Sequence, residues 1–377
     1  MKLLILSANT GEGHNSAAKA LAEYFEERGH ECRTENGLIF MPKAKGELIC
    51  RGHVFFYCKL PKVYGIGYRF EELQARRQPY QKTLQSASRI KKQRPAKRRP
   101  DLQGFLAEGN YDAIICCHVF VAKMLSRLRR AGGLGIPCYF LATDYTCSPG
   151  VNQLDVDAWL IPHAGLIPEF AAYGIPQDRL IVSGIPVRNE FLSRQNKAAA
   201  RQRLSLPEDK KIAVLSCGSM GAGSMGRLTA LLAQTLPKDC LLVAICGNNR
   251  KLEKRLKRLV HSKRLKVMGY VERMSDYLDA ADLFLTKPGG LSTTEAMHKG
   301  LPLILINVAP GCETRNMEYL TKLGCAASAG GAISLARLTA ATLKSAENLS
   351  CLTRRCAEEF SADGREVIYQ TLLRALP

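Results

Sequence analysis

Two stretches of this chain set glycines, hydroxyls and one ionisable side chain where a strand gives way to a helix. In the first, Lys2-Leu-Leu-Ile-Leu-Ser-Ala8 reads as a buried strand, Asn9-Thr-Gly-Glu-Gly-His14 as a turn, and Asn15 to Arg28 as a helix closed by Gly29. His14 then sits at the positive end of that helix, which disfavours the imidazolium and leaves a neutral ring able to accept a proton. That is the chemistry of a general base. In the second, Asp282-Leu-Phe-Leu285 is an apolar strand run, Pro288-Gly289-Gly290 a turn, and Ser292 or Thr293 can cap a helix carrying Glu295. The first amides of a helix have no internal partner, so such a turn fits a diphosphate. Glu295, one helical position beyond the cap, is placed to chelate vicinal hydroxyls such as those of a ribose. Plainer readings stand beside both: a buried glycine turn with a capping-box acid, and a structural turn with a surface histidine.

Other patterns narrow the chemistry. A Walker loop is excluded at the first turn because no Gly-Lys-Ser/Thr follows. A dinucleotide fingerprint is closer, since Gly11-x-Gly13-x-x-Ser16 departs only at its third glycine and Glu35 lies where a ribose ligand is expected. A nicotinamide-binding module therefore stays open at this point. Asp155-Val-Asp157 has the Asp-x-Asp form that holds a metal–diphosphate pair in some sugar transferases, but it precedes the strand Ala158 to Ile161 instead of following one. These acids read as solvated or capping groups. Thr143-Asp144 ends the strand begun at Ile136, where α/β sheets place ligands.

The elements that must position these groups form two series. Strand–helix alternation runs from Lys2 and again from Tyr111, through Asp112 to Cys117, Phe120 to Arg130 and Ile136 to Ala142. A second series opens with the strand Ile212 to Cys217 and the loop Gly218-Ser-Met-Gly-Ala-Gly-Ser-Met-Gly226, which includes Ser219 and Gly221 and can approach a phosphate closely. With 377 residues and 46% hydrophobic composition, the expected organisation is α/β, an N-terminal domain over 1–192, a polar link over 193–211, a C-terminal domain over 212–355, and a last helix in 356–377 crossing back to the first domain.

The net charge of +20 is concentrated. Between Lys43 and Pro100 there are sixteen Lys/Arg against three Asp/Glu, and between Ala244 and Lys266 nine against one, so the remainder sums to −1. The first segment mixes aromatics with cations around Val54-Phe-Phe-Tyr57 and Tyr64 to Phe70, then carries seven basic residues and no acid from Arg89 to Arg99. Anionic phospholipid and nucleic acid both suit such a patch, and a solvated helix face is the plain alternative for the second. No apolar run reaches the ~18–20 residues of a membrane span, and Met1 to Ala8 reads as a strand, not a signal peptide. Fourteen scattered cysteines, without Cys-x-x-Cys or zinc spacing, read as reduced core residues in a cytosolic or inner-face peripheral protein.

Taken in order, Ser7-Ala-Asn-Thr-Gly-Glu-Gly-His14, Thr143-Asp144, Gly184-Ile-Pro-Val-Arg188, Met268-Gly-Tyr-Val-Glu-Arg273, Thr286-Lys-Pro-Gly-Gly-Leu-Ser-Thr-Thr-Glu295 and Pro310-Gly-Cys-Glu313 resemble the motif series of glycosyltransferase family 28. Within it they are most similar to the branch of monogalactosyldiacylglycerol synthases and processive diacylglycerol glucosyltransferases. The resemblance implies a GT-B fold, two Rossmann-like domains facing a cleft, and inverting transfer of glucose or galactose from a UDP-sugar to diacylglycerol at the cytoplasmic face of a membrane. It implies no metal, no further cofactor and no nucleic acid. Carried over residue by residue, it makes His14 the base, Gly13 the point where acceptor and donor approach, and Asp144 the residue orienting His14 or the acceptor. Gly218, Ser219 and Gly221 border the diphosphate, the main chain around Val271 and Met274 reads uracil, and Glu295 chelates ribose. Gly290, Ser292, Thr293 and Thr294 bind phosphate, while Glu313 and Asn316 contact the donor sugar. Residues 43–100 become a lid that docks on anionic lipid and binds the acceptor. The same fold also hosts transferases acting on polyprenyl-diphosphate lipids and UDP-sugar epimerases. Outside it, the alternatives are the oxidoreductase module and a basic binding protein with no use for His14 or Glu295.

Overall fold

In the computed structural model, which describes residues 1–9, 12–41, 60–77, 80, 101–218, 225–259, 262–306, 310–360 and 362–375, twelve strands form two six-stranded parallel sheets. Parallel strands covered on both faces must be apolar along their length. β1 (Lys2–Ser7), β3 (Ala113–Cys116), β4 (Cys138–Leu141) and β5 (Ala158–Ile161) obey this, each buried almost throughout. β2 (Glu31–Asn36) is polar because it is the sheet's outer strand, and β6 (Leu180–Val182) closes the other side. The order β2-β1-β3-β4-β5-β6 reverses direction between β1 and β3. In the second sheet β7 (Lys211–Ser216), β8 (Cys240–Ile245), β9 (Leu265–Met268), β10 (Leu283–Thr286), β11 (Leu303–Leu305) and β12 (Ala326–Ser328) take the order β12-β11-β10-β7-β8-β9, which reverses between β7 and β10. At such a reversal the loops leave the strand ends in opposite directions and open a crevice for ligand.

One compact unit comprises Met1–Arg188 with Ala362–Pro377. Its terminal helix Gly364–Ala375 packs on the helix Glu12–Glu26, with Tyr369 against Phe25 at 5.2 Å between ring centroids and the Tyr24 hydroxyl donating to Glu366. Only glycine permits this return, because a Cβ on Gly364 would lie 2.5 Å from the Ser183 carbonyl oxygen. The helix expected from Asn15 begins three residues earlier, at Glu12, whose carboxylate complements the first turn. Ser7 Oγ donates to Asn15 Oδ1 at 2.6 Å and Asn15 Nδ2 to Asn9 Oδ1 at 3.0 Å, pinning the helix start to the end of β1.

The second unit is Asn189–Ser361. The stretch 193–211, expected as a polar link, belongs to this unit and contains the helix Lys197–Arg203 capped by Asn196. Three of its cations, Lys197, Arg201 and Arg203, are paired instead of solvated. Asp282 Oδ2 accepts from Arg201 Nη2 at 2.8 Å and from the Ile212 amide at 2.7 Å, while Lys197 Nζ reaches Oδ1 at 2.6 Å. The helix Ala346–Glu359 also stays in this unit, so the crossing to the first unit falls later than the expected 356.

The second basic segment forms the helix Arg250–Leu259, with Leu256 in the core and Lys251, Lys254, Arg255, Lys257 and Arg258 exposed. It is a solvated amphipathic helix. The twelve described cysteines are free thiols, nine of them buried, and burial pushes those of Cys117, Cys138 and Cys217 up to about 12.

Candidate functional site

In the first unit, three neighbouring strand ends meet around one imidazole. His14 lies in the first turn of the helix after β1, His118 follows β3, and Thr143 follows β4. His14 Nδ1 is 3.0 Å from Thr143 Oγ1, and the His118 ring stands edge-on to the His14 ring, 4.7 Å between centroids at 81°. Burial lowers the His14 pKa below the ordinary 6.5, and the Asp144 charge and hydrogen bonding to the Cys117 backbone oppose that shift without reversing it. The ring is therefore neutral near pH 7. Asp144 acts on His14 through its charge, while the group within hydrogen-bond reach of Nδ1 is its neighbour Thr143. Gly13, one residue before His14, is partly buried in the same turn. The sequence placed Thr143-Asp144 at a ligand-facing strand end but gave Thr143 no role of its own, and it missed His118, whose signal was its place directly after an apolar strand.

In the second unit the glycine turns after β7 and β10 converge on Lys287. Gly218 has φ +75°, and a Cβ there would lie 3.2 Å from Lys287 Cε; one on Gly289 would lie 3.8 Å from Cε and from Nζ. Lys287 Nζ donates to Glu313 Oε1 at 2.6 Å, and Asn316 Nδ2 donates to the Pro288 carbonyl at 2.9 Å. Burial pulls the Lys287 pKa down, but the Glu313 carboxylate outweighs it and the ammonium is held. Lys287 was missed because a lysine in a turn reads as solvated. Glu313 and Asn316, expected at sugar hydroxyls, brace the Lys287-Pro288 turn.

The helix itself departs from expectation at its start. It runs Gly290–His298 with Gly289 as N-cap and no side-chain cap, so Ser292 and Thr293 lie inside it. Thr293 Oγ1 donates back to the Gly289 and Gly290 carbonyls, and Thr294 Oγ1 to Gly290 at 2.7 Å. Both threonines are fully buried. The first backbone amides and the partly buried Ser292 remain open to an anion at this helix start. Glu295 falls in the second turn, three residues after Ser292 and on the same side of the helix, beyond strong influence of the helix end.

Of the remaining candidates, Val271 lies in the loop after β9 and Met274 opens the short helix Met274–Ala280; both are partly buried. Ser219, Gly221 and Gly11 lie outside the described residues. Asp157 accepts from Arg129 at 2.6 Å and from the Cys138 amide at 2.7 Å, and Asp155 pairs with Arg130 at 3.6 Å, so both serve the fold. Glu35 accepts from its neighbouring Asn36 amide and lies 3.8 Å from Arg33.

Of the basic stretch 43–100, residues 60–77 and Tyr80 are described. The helix Pro61–Arg77 turns Val63, Ile66, Phe70 and Leu73 outward on one face, with Ile66 70% and Phe70 67% exposed, while Arg69, Arg76 and Arg77 are also exposed. Its far end is anchored: the buried Ala75 carbonyl accepts from Asn152 at 2.9 Å, and Tyr80 stacks edge-on against the buried Trp159. No described helix is long and apolar enough to cross a membrane.

Comparison with known proteins covers both units. Residues 14–187 match the Monogalactosyldiacylglycerol (MGDG) synthase family, and residues 212–363 match the glycosyltransferase family 28 C-terminal domain. A processive diacylglycerol beta-glucosyltransferase of Bacillus cytotoxicus is 28% identical over 336 residues, 86% of this chain and 81% of the relative. One of Bacillus licheniformis is 25% identical over 334 residues, covering 86% and 82%. Among solved structures, Acinetobacter baumannii MurG aligns over 99% of both chains with a TM-score of 0.63 at 15% identity. The S. aureus MnaA–UDP structure aligns over 100% of this chain and 99% of its own with a TM-score of 0.60 at 12% identity. At these identities the structural likeness speaks for the fold, which is GT-B.

Proposed function

The chain belongs to glycosyltransferase family 28, and we propose that it transfers a hexose, with inversion, from a UDP-sugar to the hydroxyl of diacylglycerol. The observation that carries this reading is the neutral, partly buried His14 imidazole held at three strand ends. As the acceptor oxygen forms its bond to the anomeric carbon, its proton passes to the imidazole and the bond to the β-phosphate oxygen breaks, the electron pair leaving with UDP. On the donor side the family roles remain proposals: Glu295 for ribose, the main chain at Val271 and Met274 for uracil, and Gly218, Gly290 and Ser292 for phosphate. Lys287 and the first amides after Gly289 supply positive charge to the departing diphosphate. With that charge in place the reaction needs no metal, and chelation with EDTA is expected to leave turnover unchanged. The structures of relatives that carry UDP in their names support this donor class.

The acceptor lives in a bilayer, and the outward face of the helix Pro61–Arg77 suits one. Rings and aliphatic chains at Val63, Ile66, Phe70 and Leu73 enter the acyl boundary while Arg69, Arg76 and Arg77 meet anionic headgroups. Peripheral docking on anionic membrane is therefore part of the proposal. The test is labelled-sugar transfer from UDP-glucose and UDP-galactose to diacylglycerol in vesicles with and without anionic lipid, using wild type and His14→Ala. Transfer that needs His14 is the expected result and names the sugar. No transfer from either donor overturns the acceptor assignment.

A further inference from the structure

We propose that Thr143 and His118 act as positioning residues that hold His14 in one tautomer, with its proton on Nδ1 and the Nε2 lone pair open to the acceptor hydroxyl. The inference rests on the reading of His14 as the base. A neutral imidazole has two tautomers, and only one presents a lone pair at a given nitrogen. A base that works in one geometry therefore needs its proton fixed at the other nitrogen.

Three observations place the ring with Nδ1 turned to the sheet, which leaves Nε2 as the nitrogen for the acceptor. Thr143 Oγ1 lies 3.0 Å from it, and Thr143 is 7% exposed at the end of β4, so the sheet sets the position of the hydroxyl. The His118 ring has its own tautomer fixed, because its Nδ1 accepts from the Phe120 amide at 3.2 Å and caps the helix Val119–Arg130. The neutral His118 proton is thereby on Nε2. Being 7% exposed and edge-on at 4.7 Å, this ring blocks rotation of His14 away from Thr143. The three residues follow β1, β3 and β4, adjacent strands of one sheet, so none depends on a long loop for its place. The charged group facing His14 is Asp144, which favours the imidazolium once formed; the nearby Cys116 and Cys117 thiols are held protonated by burial. Asp144 thus tunes the charge, and Thr143 with His118 sets the tautomer.

The test reads the tautomer directly, by long-range proton–nitrogen NMR of protein labelled at its seven histidines, with His14→Gln and His118→Gln spectra giving the assignments. The expected result at pH 7.5 is a protonated Nδ1 at His14 and a protonated Nε2 at His118. Thr143→Val should give His14 a mixed tautomer, and Thr143→Ser should restore it. In turnover, Thr143→Val should lower kcat about 10- to 100-fold with the donor KM unchanged, and Thr143→Ser should recover most of it. A His14 protonated on Nε2 in the wild type, or a Thr143→Val protein with wild-type tautomer or kcat, overturns the proposal. Circular dichroism and a wild-type amide NMR spectrum for the first unit show that each variant is folded. If His14→Gln keeps full activity while the tautomers are as stated, the general-base reading fails and the clamp geometry stands.

Discussion

The two sheets reverse strand order at comparable places, yet the chemistry they present there is opposite. At the β1/β3 reversal, burial keeps an imidazole neutral against the pull of the Asp144 charge. At the β7/β10 reversal, a carboxylate 2.6 Å away keeps an ammonium charged beside two glycine turns. Both side chains meet burial and a counter-charge, and the two sites differ in which wins: burial outweighs Asp144 at His14, and Glu313 outweighs burial at Lys287. The single displacement proposed above uses both side chains, one at the nucleophile and one at the leaving group.

The largest expected effect separates the two halves. His14→Ala should lower kcat by about 10²- to 10⁴-fold, while calorimetry gives unchanged UDP affinity. Weakened UDP binding would break the division of labour. Lys287→Met should do the reverse, weakening UDP about 10- to 100-fold as a charge-assisted contact is lost. It should also lower unfolding free energy by about 1–3 kcal/mol, because Glu313 stays buried; adding Glu313→Gln should recover part of that, read by denaturant titration. Phe70→Asp should cut partition onto anionic vesicles about tenfold or more, since one large apolar side chain no longer enters the acyl boundary. Flotation assays measure it.

The smallest effect concerns pH. Because the His14 pKa is lowered from 6.5, the acid limb of kcat/KM should lie below pH 6.5. Asp144→Asn removes a charge that raises this pKa, so the limb should move further down; an upward move contradicts the assignment. The stability sign agrees. The unfolded state takes up this proton first as pH falls through 6.5, so the group removes stability below that pH until the folded pKa is reached.

Much of this was legible in the residues. The apolar runs of β1, β3, β7, β8 and β10 announce a parallel sheet because strands buried on both faces carry no polar alternation, and glycines after β1, β7 and β10 announce the turns that face a ligand. His14, Glu295 and the basic stretch follow from local pattern. What stayed hidden depends on partners distant in sequence. Lys287 counts as a site residue only because Glu313 and Gly218 come to it, 26 residues after and 69 before. Thr293 and Thr294, expected at phosphate, turn their hydroxyls onto the carbonyls of their own helix, which starts at Gly290. The polar stretch 193–211 belongs to the second domain, where Asp282 pairs with its Lys197 and Arg201. By itself the sequence determined the strands, the turns and the family, since these rest on local backbone preference and contiguous motifs. Tertiary structure alone decided which nitrogen of His14 meets Thr143, which carboxylate holds Lys287 and which threonines turn inward, because each is a contact between side chains that chain order does not bring together.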